Sequence, residues 1–253
     1  MPREYEKPPV VEALCEFQFL PGRPWDWTVP GLFYTRVSPE FPRREQQVVS
    51  SFEIRRDARE VAHALDPQIH RIQFWRSDST ALVQLGRDLL TVNQLQPYPK
   101  WETFKQRIAS MLEVYRSVAE PKGFQRVALR YINRILVPGD RVEIEDYIQA
   151  VPRIPDVLPQ VFATWAQRVE VPYEADKGML VIQAGSGASQ DSNRVVFLLD
   201  LGFILTRPEE LVVEHAMEWI ATAHDRIESA FEACLTEKSR ETFSENAHAR
   251  QGG

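Results

Sequence analysis

The chain has 253 residues, of which 43% are hydrophobic and 26% charged, with a formal net charge of −6. That composition sustains a core and sets aside the low-complexity classes, and no run of about eighteen apolar residues suggests a membrane span. The opening MPREYEKPPVVEALCEF lacks the basic and apolar regions of a secretory leader, so a cytoplasmic location without a membrane partner is expected.

Along residues 9–20, PVVEALCEFQFL, apolar side chains alternate with Glu12, Glu16 and Gln18, the pattern of a half-buried strand. A turn at PGRP leads to a short helix over 30–37. SSFEIRR (50–56) and HRIQFWR (70–76) read as strands, and residues 81–95 as a hairpin turning at Gly86, Arg87 and Asp88. Trp101, Phe104, Ile108, Met111, Tyr115 and Val118 then recur at three- and four-residue steps, predicting an amphipathic helix over 100–119 that Pro121 and Gly123 close.

A strand over 126–137 follows, then a short helix over 142–150 and the loop-like PRIPDVLP at 152–159. Strands are expected at 167–173, 178–184 and 194–205, and a long helix from Pro208 to Lys238 with Val212, Ala216, Ile220, Ala223, Ile227, Phe231 and Cys234 as its apolar face. The expected fold class is α+β: antiparallel β-meanders with two long helices packed on one side, and a possible structural duplication. The halves would be 1–150 and 151–243, one compact unit, followed by a disordered polar tail over 244–253.

The strand RVALRYINRILVP carries Arg126, Arg130 and Arg134 on one face, each about 13 Å from the next. Val127, Leu129, Tyr131, Asn133, Ile135 and Val137 make the other, core-directed face, where a buried Asn133 needs hydrogen-bond partners. Three guanidinium groups in a row require anions. Cross-strand carboxylates are the ordinary source, and Glu12 and Glu16 have the matching spacing. The alternative is an arginine-lined groove for phosphates or an acidic peptide.

On the closing helix, Glu214, Glu218, Asp225, Glu228 and Glu232 form an acidic stripe flanked by His215 and His224. A solvated face explains it, and docking of a basic partner is the sharper reading. The two histidines lie nine apart, not four, so no metal site is expected. Cys15 and Cys234 sit far apart on apolar faces and read as buried thiols. The loop AGSGASQDSN (184–193) precedes a strand rather than a helix, which argues for a hairpin and against phosphate binding. Asp200, inside VVFLLDLGF, is costly to bury unpaired and is expected to cap or pair locally. No recognisable catalytic motif is present, and no cofactor is expected.

Charge is uneven: residues 1–140 hold 20 Lys+Arg against 17 Asp+Glu, and residues 141–253 hold 10 against 19. A general nucleic-acid binder would carry a strongly basic domain. Arginine outnumbers lysine 24 to 6, a bias that a GC-rich genome also produces.

The segments YEKPPVVEALCEFQF, VQLGRDLLTVN, PYPKWETF and LRYINRI, and more loosely LLDL with the closing helix around His224 and Phe231, resemble an uncharacterised, sporadically distributed family of bacterial proteins of about this length. The resemblance implies no activity, and the family's distribution implies an accessory role in a defence-, mobile-element- or toxin-linked system. The leading expectation is a non-enzymatic protein-binding module using Arg126, Arg130, Arg134, Asn133, Glu214, Glu218, Asp225 and Glu228. The alternative is a nucleotide- or nucleic-acid-binding component using the arginine face. A protein partner is expected, and a homo-oligomer is possible.

Overall fold

The computed structural model describes residues 5–26, 28–57, 60–139, 141–189 and 193–244; the tail expected over 244–253 lies outside them from residue 245 onward. The elements run β1 (Val10–Leu20), α1 (Thr28–Val37), β2 (Arg43–Asp57), β3 (Glu60–Trp75), β4 (Ala81–Gly86), β5 (Leu89–Leu95), α2 (Trp101–Ala119), β6 (Gly123–Pro138), β7 (Ala166–Tyr173), β8 (Gly178–Gly187), β9 (Arg194–Leu205), α3 (Ala216–Cys234) and α4 (Glu237–Ser244). The strands form one nine-stranded sheet in the order β2-β3-β4-β5-β1-β6-β9-β8-β7. Every neighbouring pair is antiparallel. The class is therefore α+β, with four α-helices among the described residues. No helix among them is long and apolar enough to cross a membrane.

Period-two alternation decides which face of the sheet meets the core. On β1, Ala13, Cys15, Phe17 and Phe19 are fully buried. Their register partners on β6 include Tyr131, Leu129, Val127 and Phe124, which are also buried. Phe19 stacks on Tyr115 of α2 at 4.3 Å, and α2 buries Phe104, Ile108, Met111 and Leu112 beside it. Helix α2 ends at Glu120, which adopts left-handed φ of 49° and returns its N–H to the Arg116 carbonyl at 3.0 Å. Gly22 packs directly on that turn, where a Cβ would overlap the Glu120 carbonyl oxygen.

Several expected boundaries move. The strand foreseen at 50–56 is the second half of β2, and that foreseen at 70–76 is the end of β3 plus one residue; the two elements are longer than expected and pair with each other as a hairpin. The helix foreseen over 142–150 is a single 3-10 turn at Ile144–Asp146. The segment foreseen as one helix from Pro208 to Lys238 begins with two 3-10 turns, Pro208–Glu210 and Val213–His215. It then forms α3, breaks at Leu235 in extended backbone, and resumes as α4. Val212 consequently leaves the apolar face and is 54% exposed, whereas Trp219 and Ala230 join the buried set.

Candidate functional site

Opposite the core lies a polar sheet face built from the alternate residues of the same strands. Arg126 reaches Glu16 at 3.4 Å, the cross-strand pair that spacing predicts. Arg130 lies opposite Gly202 and turns instead to Asp200, with Nε donating to Oδ1 at 2.7 Å and Nη2 to Oδ2. Gln183 Nε2 donates to Oδ2 of the same carboxylate at 3.1 Å. The half-buried Asp200 carboxylate thus finds its partner on the neighbouring strand, and the pairing raises the Arg130 pKa further. Arg134 donates to the Ala188 carbonyl at 3.3 Å, and no carboxylate among the described residues lies within 4.0 Å of it.

Glu12, the other matching carboxylate, accepts from Asn93 Nδ2 at 2.7 Å. From there amides continue across the sheet: Gln84 Nε2 donates to Asn93 Oδ1 at 3.0 Å, Gln73 Nε2 to Gln84 Oε1 at 3.4 Å, and Trp75 Nε1 to Gln73 Oε1 at 3.2 Å. Charge balance and amide bridging therefore run from β3 to β8. Asn133 stands apart from this face. It is 1% exposed on the core side, donates to the Leu199 carbonyl at 3.0 Å, and its Oδ1 has no partner among the described residues.

A second constellation lies on the core side, where α2, α3 and β6 converge. The His224 imidazole stacks on the Trp101 indole at 3.9 Å and 9°, and meets Tyr131 edge-on at 5.9 Å. Tyr131 and Tyr98 share a hydroxyl–hydroxyl hydrogen bond of 2.9 Å. Burial carries the His224 pKa down to about 4, against the opposing pull of Asp225, so the ring is neutral near pH 7. Its Nδ1 is buried 3.8 Å from Asp225 Oδ1, beyond hydrogen-bond reach, and has no hydrogen-bond partner among the described residues. Burial, and then the charges of Asp225 and Glu232, raise the Glu228 carboxyl. Donor atoms of His224, Asp225 and Glu228 all lie within 4.8 Å of one another, a trio chemically able to ligate a divalent cation.

The acidic stripe on this helix is largely partnered elsewhere. Glu214 pairs with Arg116, Glu218 with His215 at 3.1 Å, and Glu232 with Arg240 at 2.9 Å and the Tyr5 hydroxyl at 2.7 Å. Of the expected acidic residues, only Asp225 and Glu228 are brought together with His224. Both cysteines are buried, and burial pushes their thiols up, Cys234 to about 11.

Neither family models, curated proteins nor solved structures match this chain.

The aromatic partners of His224 escaped sequence reasoning. Trp101 and Tyr131 read simply as core positions of a helix and a strand, and Tyr98 falls between the elements expected over 81–95 and 100–119. No local period in the sequence joins them, because α2, β6 and α3 meet only in the fold.

Proposed function

We propose that this protein is a protein-binding module whose platform is the polar face of the sheet around β6, β9, β8 and β7. The observation that carries the reading is the neutralisation from within of two of the stripe's three arginines, while Arg134 meets, among the described residues, only the Ala188 carbonyl. Arg126 and Arg130 are held by Glu16 and Asp200, carboxylates that are 20% and 15% exposed, while the guanidinium groups stay 42% and 43% exposed. A phosphate backbone is bound by unpaired cations that displace its condensed counterions. A balanced mosaic of paired charges, amides and apolar side chains instead suits a protein surface. Leu136 and Leu198, each 36% exposed, supply apolar contact beside Arg134.

Element order also supports reading the chain as an internal duplication, with α2 and α3 as equivalent helices on one side of the sheet. The series β1, α1, β2–β5, α2 is followed by β6, a 3-10 turn, β7–β9, α3. β1 and β6 are neighbours at the junction, and each continues outward through the last strand of its own half, β5 or β9. On this reading the halves divide after α2, near residue 120, not after residue 150. The charge pairs then cluster at and beside the junction, where one partner would touch both halves.

The test compares partners co-purified from the native host by three forms of the protein. Wild type and an α3-surface variant, Glu218→Gln, should retain the same partner, and Arg130→Glu should lose it. Retention by Arg130→Glu, with folding intact by circular dichroism, contradicts the assignment of this face.

A further inference from the structure

We infer that the outer edge of β7 docks, antiparallel, onto the β7 of a second copy of this chain, in the one register centred on Val169. β7 closes one end of the strand order, so its outer side has no partner strand among the described residues. Arg168, Val169 and Glu170 are all exposed, Val169 at 47%.

The backbone specifies which groups face outward. Ala166 pairs with Gly185 and the register runs unbroken to Tyr173 opposite Gly178. One step earlier, the Trp165 carbonyl accepts the Ser186 N–H at 3.0 Å. In an antiparallel ladder the bonded positions alternate. Gln167, Val169 and Val171 therefore bond inward to β8, and Ala166, Arg168 and Glu170 present their N–H and C=O groups outward. Pro172 falls in the outward set and has no N–H to offer, as proline on a free edge should.

Two such edges can bond in three central registers. Centring on residue 168 sets Arg168 against its own copy, and centring on 170 sets Glu170 against its own. Both place like charges directly opposite, which is destabilising. Centring on Val169 places Arg168 opposite the partner's Glu170 and Glu170 opposite the partner's Arg168. It also pairs the two exposed Val169 side chains, and it leaves the missing Pro172 N–H at the ends of the ladder. Within one chain Arg168 already holds Glu170, at 2.9 and 2.6 Å from Nε and Nη2, so the four charges would form a closed ring. The two-fold axis stands perpendicular to the sheet. Both polar faces would then lie on one side of a continuous double sheet.

The test is the mass of the purified protein by light scattering during gel filtration, with three variants. Wild type should elute at twice the 29.2 kDa of one chain. Glu170→Pro removes an outward N–H that β8 does not use, and should give a folded monomer. Arg168→Glu should raise the dimer dissociation constant at least tenfold, and the swap Arg168→Glu with Glu170→Arg should restore the dimer. If Glu170→Pro fails to fold, the charge-swap pair decides alone. A wild type that stays monomeric at about 100 μM, a dimer indifferent to Arg168→Glu, or a swap that fails to restore it overturns the inference.

Discussion

Arg130 and Asp200 define the chemistry of the polar face at the scale of single residues. Removing the guanidinium in Arg130→Ala leaves a carboxylate that is 15% exposed with Gln183 as its remaining partner. Stranding such a group costs about 1–3 kcal/mol, and urea titration should show that loss. A double-mutant cycle with Asp200→Asn should recover much of it, because the stranded charge is gone. A loss under about 0.5 kcal/mol, the level typical of an exposed pair, would place Asp200 in solvent.

His224 yields a pH prediction. Its pKa falls from 6.5 to about 4 on folding, since burial disfavours the imidazolium. The unfolded chain therefore binds more protons between those values. The corresponding stability is fully present above pH 6.5, erodes as pH falls toward 4, and is absent below, with a total of about 3 kcal/mol. His224→Phe keeps a ring against Trp101 and removes the buried Nδ1. It should abolish this part of the difference in denaturation midpoint between pH 7 and pH 5. An unchanged pH dependence in the variant would mean that His224 titrates as an exposed imidazole.

Among the elements, most strands are readable because a half-buried strand imposes period two and its turns carry their own residues. Asp88, in the turn between β4 and β5, has φ of 52°, a conformation aspartate tolerates better than most residues. The start of α3 is not readable in the same way. Pro208 suits a helical first turn, and Val212 and Ala216 keep helical spacing, yet the backbone stays in 3-10 turns until Ala216. Helical periodicity identifies a face without fixing where the hydrogen-bond ladder begins. The end of α2 offers a test of such local geometry. Glu120 pays a left-handed penalty there that glycine avoids. Glu120→Gly should therefore raise stability by roughly 0.5–1 kcal/mol in thermal or urea melts, and a loss would show that its side chain contributes more than the backbone costs.

For the whole molecule, one continuous antiparallel sheet joins what reads in sequence as two successive meanders. The apolar face of β6 and the carboxylate spacing on β1 are visible in sequence, and so is the pairing of at least one stripe arginine with Glu12 or Glu16, which Arg126 and Glu16 supply. The Arg130–Asp200 pair joins residues 70 positions apart, and the stack of His224 on Trp101 joins α3 to α2. No local period encodes such contacts; they follow only from the strand order that sets β9 beside β6. The account rests on the neutrality of the polar face. Its most direct test is a fluorescence-anisotropy titration of single-stranded and duplex oligonucleotides from about 20 to 200 mM salt. With Arg126 and Arg130 paired internally and Arg134 the one cation of the stripe without a carboxylate among the described residues, no binding is predicted at the lowest salt. Contradiction would be an affinity whose logarithm falls linearly with the logarithm of salt concentration and which Arg130→Ala weakens.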